Sequence, residues 1–297
     1  MNGVLNVLKP PAMTSSDVVS RIRRMLSERR VGHTGTLDPG AAGVLPVCVG
    51  RATKIADYIM SADKEYIAEI RFGTETDTQD SYGTVTAKAD MDISLRQLEE
   101  ILPQFTGRIL QKPPMYSAIK HEGRKLYELA RKGVEVKKPA REVTVRKIKI
   151  LDEKTNRFLL RICCSKGTYI RSLCADIGHA LGTCAYTSFL MRTKTGAYGI
   201  EQSYTLDELE AMCNAQEIKQ ALIPMEQALG DMPKIVCGDY LYDILTTGTP
   251  VDLRKAGTLK VDENIAYAVY CKGTLIGIGK RTGDTLKIVT MLKLREG

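Results

Sequence analysis

Metal-site spacing is absent from this chain of 297 residues. Its three histidines, at 33, 121 and 179, lie far apart, and its eight cysteines, at 48, 163, 164, 174, 184, 213, 237 and 271, never form Cys-x-x-Cys. Protein zinc sites are built from such close pairs, so no metal is expected. The cysteines sit mostly in apolar runs and read as buried free thiols of a reducing compartment. Also missing are an apolar run of membrane-spanning length and, at the start, a basic segment followed by a long apolar core. The chain is therefore expected to be soluble and cytoplasmic, with no membrane partner. Neither an internal repeat nor a low-complexity tract is found.

Acidic charge is the scarcer sign. Lys and Arg number 43 against 35 Asp and Glu, a formal +8. Residues 108–149 hold thirteen Lys/Arg and four Asp/Glu, a net of +9, so the other 255 residues sum to −1. Charge gathered into one stretch suits a polyanion-binding surface, with nucleic acid as the leading partner. A solvated, charge-rich excursion is the plainer reading. Within it Met115, Tyr116, Leu126 and Tyr127 are interleaved with Lys120, His121, Arg124, Lys125, Arg131 and Lys132. In such a mixture cations track phosphates, while aromatic residues stack on bases or pack the element down.

The loop Gly32–Gly43 carries four glycines, His33 and a single carboxylate, Asp38. Glycine permits positive φ and close approach of backbone to a ligand, and Asp38-Pro39-Gly40 sets a tight turn with the carboxylate at its edge. By itself Asp-Pro-Gly is as readily an ordinary turn. Three other loop chemistries fail on residue type. A P-loop ends Gly-Lys-Ser/Thr, whereas this loop ends Ala41-Ala42-Gly43. A dinucleotide fingerprint opens a helix after a strand, and the order here is reversed. A nucleobase deaminase needs His-x-Glu with Pro-Cys-x-x-Cys, which the chain lacks. What remains is a lone carboxylate beside a polyanion-binding stretch. That suits a reaction with no net redox change and no cofactor, such as isomerisation of a nucleic-acid base.

Hydrophobic periodicity places these residues on elements. Val4–Leu8 reads as a strand, closed by Lys9-Pro10-Pro11, and Ser15 or Ser16 can cap a helix with Val18, Val19, Ile22, Met25 and Leu26 on one face. Val44–Val49 reads as a buried strand, 52–62 as a helix, and Glu65–Phe72 as a strand with Tyr66 at its start. An ordinary strand aromatic is the plainer reading of that tyrosine. Further strands are expected at 141–151, 157–164 and 184–193, and helices at 95–102 and 206–212. Thr168 can cap a helix striped by Ile170, Leu173, Cys174, Ile177 and Leu181. Arg171 stands just off that stripe in the first turn, where the macrodipole gives a cation nothing. It either has a specific carboxylate or phosphate partner or faces solvent. Asp231-Met232-Pro233 reads as a linker to a small, mildly basic β domain with strand-like runs at 265–271, 275–280 and 286–294.

Gly32-His33-Thr34-Gly35-Thr36-Leu37-Asp38-Pro39, followed by Gly43-Val44-Leu45-Pro46-Val47, closely resembles the catalytic motif of the bacterial tRNA pseudouridine-55 synthases, the TruB-type family. Further motifs are similar and in order from residue 2 to about 196: the opening Asn2–Pro10 with Met13-Thr14-Ser15-Ser16, Asp63–Tyr66, Pro114–Lys120 with Gly123–Glu128, Cys164–Arg171 and Phe189–Arg192. The resemblance implies an α+β fold: a catalytic domain, 1–232, built on a central, mostly antiparallel mixed sheet flanked by helices. It also implies that the insertion 108–149 clamps RNA and, on a looser match, that 233–297 is a PUA-like RNA-binding β domain.

The same resemblance implies cofactor-free conversion of the T-loop uridine at position 55 of tRNA to pseudouridine. Asp38 would be the nucleophile, at base C6 or at sugar C1′. Arg171 would pair with it and keep it ionised. Tyr66 would stack on the uracil and move a proton late in the reaction, and Tyr169 and Leu190 would line the pocket. His33 would prop the gap left by the flipped base, or else be a loop histidine bonded to backbone. Lys9, Lys120, Arg124, Lys125, Arg131, Lys132, Lys166 and Arg192 would grip the RNA. A monomer acting on the T arm, with no metal and no protein partner, is implied. The alternatives are a non-catalytic tRNA-folding factor of the same fold and a guide-RNA-directed subunit; filled chemical positions disfavour the first, and the absence of long basic tails the second. Three residues depart from the family pattern. Ala12 stands where glycine is usual, implying a turn that needs no positive φ. Gly40 and Ala42 replace a bulkier residue and a threonine, implying looser packing behind the loop.

Overall fold

A computed structural model describes residues 1–293 apart from Ala118, Glu122, Arg131, Glu135, Lys137, Asp231 and 257–260; of Lys120, His121, Lys125 and Tyr127 it describes the backbone alone. The chain begins with β1 (Gly3–Lys9), α1 (Ser15–Met25), β2 (Val31–His33), β3 (Ala42–Val49) and β4 (Lys64–Phe72). After a polar excursion come β5 (Gly107–Gln111), β6 (Arg141–Lys154), β7 (Arg157–Cys164), α2 (Ile170–Ala180), β8 (Ala185–Thr195), α3 (Leu206–Asn214) and β9 (Leu222–Ile223). These strands form one sheet in the order β9-β1-β3-β8-β4-β7-β6-β5, with β2 beside β3. Among the described residues its ladders are antiparallel except that of β3 with β8, where Ala42 pairs with Met191 and Gly43 with Arg192. The fold is the α+β one expected.

β3 shows why its sequence does not alternate. Leu45, Val47 and Val49 face the main core, where they meet Val18 and Ile22 of α1. Val44 and Cys48 face the other way, into a second cluster with Ala268, Leu275 and Ile278. A strand buried on both faces reads as one apolar run. The second cluster leads to another sheet, formed by β10 (Lys234–Cys237), β11 (Val251–Asp252), β12 (Tyr267–Cys271), β13 (Thr274–Thr282) and β14 (Thr285–Met291) in the order β10-β12-β13-β14-β11. Arg51 Nη1 donates to the Leu292 carbonyl (3.3 Å) and Lys54 Nζ to that of Met291 (2.9 Å), tying the two sheets' surroundings together.

Several local expectations need correction. Thr14, not Ser15 or Ser16, caps α1: its hydroxyl accepts from the Asp17 N–H (3.1 Å) while Asp17 Oδ2 accepts from the Thr14 N–H (3.0 Å), a capping box. Ser15 is engaged elsewhere, as described below. The helix expected over 52–62 is a 3₁₀ turn, Gly50–Ile55, followed by a single short helix, Ala56–Met60. Thr53 favours the tighter turn by donating its hydroxyl to the Gly50 carbonyl (2.8 Å). In β8 the simple alternation is broken at Ser188 and Thr193, where the register against β4 slips. The cysteines are all free, five buried and three half-buried. No helix among the described residues is long and apolar enough to cross a membrane.

Candidate active site

The Asp38 turn is held from behind by buried groups of three elements. Ser15, at the start of α1, accepts a hydrogen bond from the Leu37 N–H (2.9 Å) and donates to the Leu37 carbonyl (3.1 Å). Lys9, at the end of β1, is fully buried and donates to the carbonyls of Pro10 (2.7 Å), Met13 (2.5 Å) and Pro39 (3.2 Å). Arg192 of β8, also buried, donates from Nε to the Val44 carbonyl (2.8 Å) and from Nη2 to that of Gly35 (3.1 Å). Where β3 meets β8 only glycine fits: Gly43 has φ 114°, and a Cβ there would lie 2.1 Å from the Arg192 carbonyl oxygen. The Asp38 carbonyl accepts from the Ala41 N–H (3.1 Å), closing the expected tight turn.

These contacts correct two assignments. Lys9 and Arg192 were expected to grip RNA, but both are enclosed, with their donors directed at carbonyls of the Asp38 loop and its flanks. Burial lowers the Lys9 ammonium to about pKa 8, against the pull of Asp38. Two departures from the family pattern are corrected as well. Ala12 does take positive φ, 62°, at the reversal that brings the Pro10 and Met13 carbonyls to Lys9. Gly40 does not loosen the loop, because the Tyr82 ring lies on it: a Cβ at Gly40 would fall 2.0 Å from Tyr82 Cε2. Ala42 is half-buried at the start of β3.

Arg171, the second residue of α2, is 4% exposed, which removes the solvent-facing reading. Its Nε lies 2.8 Å from Asp38 Oδ2, although the N–H is not aligned for a directed hydrogen bond. The contact is an ion pair set by anchors on the rest of the guanidinium. Nη1 donates to the Thr78 carbonyl (2.6 Å) and Nη2 to that of Tyr116 (2.8 Å). Asp80 Oδ2 stands 3.5 Å from Nη1, so Asp38 is not the lone carboxylate that the sequence suggested. Asp80 was missed because the polar run Asp77-Thr78-Gln79-Asp80 has no periodicity; its position depends on long-range contacts, such as Ser172 Oγ donating to Gln79 Oε1 (2.9 Å). The cap expected from Thr168 is also corrected. That hydroxyl donates to the Ser165 carbonyl (3.0 Å), and the start of α2 is pinned instead by Gln111, whose amide exchanges hydrogen bonds with the Tyr169 backbone at 2.8 and 2.9 Å.

Asp38 keeps 34% of its side chain open. Desolvation by the surrounding protein pushes its carboxyl above the ordinary range, Arg171 pulls it back, and Asp80 pushes it up again. The carboxylate opens into a cleft of about 550 Å³ that is also lined by Tyr66, Tyr169, Arg171, Leu190 and Lys64. Tyr66 belongs to the main core and to the cleft wall at once; burial raises its pKa, against the pull of the Arg192 charge. The slip of register at Ser188 re-aims the following side chains. Phe189 is exposed, and Leu190 lines the cleft. His33 lies on a strand, β2, rather than in a free loop. Its Nδ1 accepts from the Gly35 N–H (3.3 Å), which calls for the tautomer protonated at Nε2, and burial lowers its pKa with Arg192 adding to the effect. The backbone bond is therefore present, and it fixes the ring of a residue that is half-buried rather than enclosed.

Lys166 is exposed at the cleft rim. In the basic stretch Lys120–His121 and Arg124–Lys125 form a short antiparallel pair, and Arg124 and Lys132 are exposed. Arg131 and the side chains of Lys120 and Lys125 lie outside the described residues. The stretch reaches the site directly, since Tyr116 supplies a carbonyl to Arg171, and Ser117 and Ile119 line the cleft.

Residues 23–170 match the N-terminal domain of the TruB family pseudouridylate synthases, and residues 171–230 match the tRNA pseudouridylate synthase B C-terminal domain. The tRNA pseudouridine synthase B of Clostridium tetani is 43% identical over 293 residues, spanning 98% of this chain and 100% of that protein. That of Symbiobacterium thermophilum is 50% identical over 239 residues, spanning 79% of this chain and 78% of its own. Among solved structures, a chain of a Cbf5–Nop10–Gar1 complex superposes with TM-score 0.80 and 27% identity over 99% of this chain and 86% of that one. With both family domains matched in order and such relatives running nearly end to end, the chain belongs to the TruB family of pseudouridylate synthases.

Proposed function

We propose that this cleft converts the T-loop uridine at position 55 of tRNA to pseudouridine, acting alone, in the cytoplasm and without a cofactor. The observation that carries the reading is Asp38 beside the anchored guanidinium of Arg171 on the wall of an open cleft, with Tyr66 and Leu190 among the other walls. In the reaction the C1′–N1 bond breaks, the uracil turns, and a C1′–C5 bond forms. The proton on C5 then leaves while N1 gains one, so the product is an isomer. Asp38 acts as an ionised nucleophile at C6 or at C1′. Arg171 orients it and opposes its protonation. Tyr66 stacks on the uracil and takes part in the late proton transfer, with burial raising its pKa. Tyr169 and Leu190 shape the pocket. The base reaches Asp38 by flipping out of the loop, and His33, neutral and fixed on β2, props the RNA it leaves. The exposed cations of 108–149 and Lys166 hold phosphates, and the domain 233–297, read as PUA-like, adds RNA-binding surface.

The guide-RNA-directed alternative draws on neighbours from a Cbf5–Nop10–Gar1 complex, an H/ACA RNP bound to a substrate RNA and an archaeal box H/ACA sRNP Nop10–Cbf5 complex, at 25–27% identity. Relatives named tRNA pseudouridine synthase B stand at 41–50%, which favours a stand-alone tRNA enzyme. The test is incubation of the purified chain with an unmodified tRNA transcript and no added factor, followed by position-resolved detection of pseudouridine. Pseudouridine at the T-loop uridine alone is expected. Product only in the presence of a guide RNA or a second protein, or no product at all, overturns the reading.

A further inference from the structure

A second cleft, of about 240 Å³, adjoins the first and shares Asp38, Arg171 and Leu190 with it. Its rim carries two exposed rings, Tyr82 (69% exposed) and Phe189 (43%), with Pro11 beside them. Tyr82 is held in place by its backbone, whose N–H donates to Asp80 Oδ1 (3.0 Å), while the preceding Ser81 donates its hydroxyl to the Ser188 carbonyl (3.0 Å). Its ring rests on Gly40, two residues after Asp38, where a Cβ would meet Tyr82 Cε2 at 2.0 Å and displace the ring. The result is an aromatic plate on a hydrogen-bonded backbone, laid on the Asp38 turn and largely open to solvent. Neither the packing of the core nor the chemistry of the first cleft uses it.

We propose that Tyr82, seated on Gly40 and flanked by Phe189, is a stacking platform for an unpaired nucleobase adjacent to the target uridine. The proposal rests on the RNA reading above and deepens it. A nucleotide drawn into the first cleft carries its covalent neighbours with it, and the second cleft opens from the same Asp38–Arg171 wall. The charge there selects the base rather than the backbone: Asp38 and Asp80 line the second cleft, and its cation, Arg171, is already engaged by Asp38 and by the Thr78 and Tyr116 carbonyls, which disfavours a phosphate and leaves the ring faces as the attractive surface. Aromatic faces recognise splayed single-stranded bases by stacking, an interaction large enough to change binding about tenfold for one ring.

The test is a cycle between protein and RNA. Pseudouridine formation at subsaturating transcript is measured for the parent, Tyr82→Phe and Tyr82→Ala, on intact RNA and on RNA made abasic at the nucleotide 5′ or 3′ of the target. We expect Tyr82→Ala to lower kcat/KM about tenfold on intact RNA, and Tyr82→Phe to retain the parent value, because stacking needs the ring and not the hydroxyl. Abasic substitution at one flank should lower the parent by a similar factor and abolish the difference between parent and Tyr82→Ala. An unchanged kcat/KM for Tyr82→Ala, or an equal loss on intact and both abasic RNAs, overturns the proposal. If the parent itself makes no pseudouridine on intact transcript, it is the function proposed above that fails.

Discussion

The Asp38 turn and the basic stretch 108–149 handle positive charge in opposite ways. Around the turn, Lys9, Arg171 and Arg192 are buried and their donors are directed at backbone carbonyls or at Asp38. In the stretch, Arg124 and Lys132 stand in solvent on two-residue strands and a short turn. A buried cation saturated by carbonyls fixes a loop; an exposed one can exchange counterions for phosphates. Chemistry on a base needs the first, since groups aimed at the reacting atom must already be in place. Holding an RNA stem needs the second, and such binding weakens as salt rises. Residue type alone does not separate the two uses, and burial does.

If that division holds, substitutions on its two sides change different quantities. The largest effect is expected for Asp38→Asn, which should leave tRNA affinity near the parent value while lowering the single-turnover rate by about 10⁴-fold or more; filter binding and quenched time courses read the two. Arg171→Lys should lower the rate by about 10²-fold at similar affinity. A lysine cannot hold the Thr78 and Tyr116 carbonyls and still face Asp38, and a misplacement of about 1 Å is enough for such a loss. Lys9→Met leaves three carbonyls without their donor, at about 1–3 kcal/mol for each buried one. Its thermal midpoint should drop and its rate fall about tenfold, while the slope of log affinity against log salt stays that of the parent. The triple change Lys120→Ala, Arg124→Ala, Lys125→Ala should do the reverse, flattening that slope by about 1 to 2 with the saturating rate intact. The smallest effect is a shift in pH dependence. Asp38 works ionised and its pKa is raised, so kcat/KM should fall as pH drops through that value. Asp80→Asn removes a charge that raises it, so the acid limb should move to lower pH.

What the sequence revealed follows from which forces act locally. β7 was legible to the residue, at 157–164, because its alternation is unbroken there. The Asp38 turn was legible because Asp-Pro-Gly fixes its own geometry. Arg171 was singled out by an electrostatic oddity, a cation at a helix start, and the carboxylate that explains it is there. Asp80 was not legible, since its place beside Arg171 depends on Gln79 and Ser172, brought together from 93 residues apart. Lys9 and Arg192 were misjudged for a related reason. The sequence shows a cation but not whether the chain closes over it, and here the parallel pairing of β3 with β8 and the reversal at Ala12 enclose both. Tyr82 drew no attention because its meaning lies in a glycine 42 positions earlier on which its ring rests.

The separation of a locked chemical centre from a solvated grip is tested most directly by taking Asp38→Asn and the Lys120/Arg124/Lys125 triple variant through one pair of assays on one unmodified transcript: binding across a salt series, and the single-turnover rate at saturating protein. Asp38→Asn should bind with the parent salt slope and make no pseudouridine, and the triple variant should bind with a flattened slope and turn over at the parent rate once saturated. Loss of binding by Asp38→Asn comparable to that of the triple variant, or a saturating rate in the triple variant as low as that of Asp38→Asn, contradicts the account.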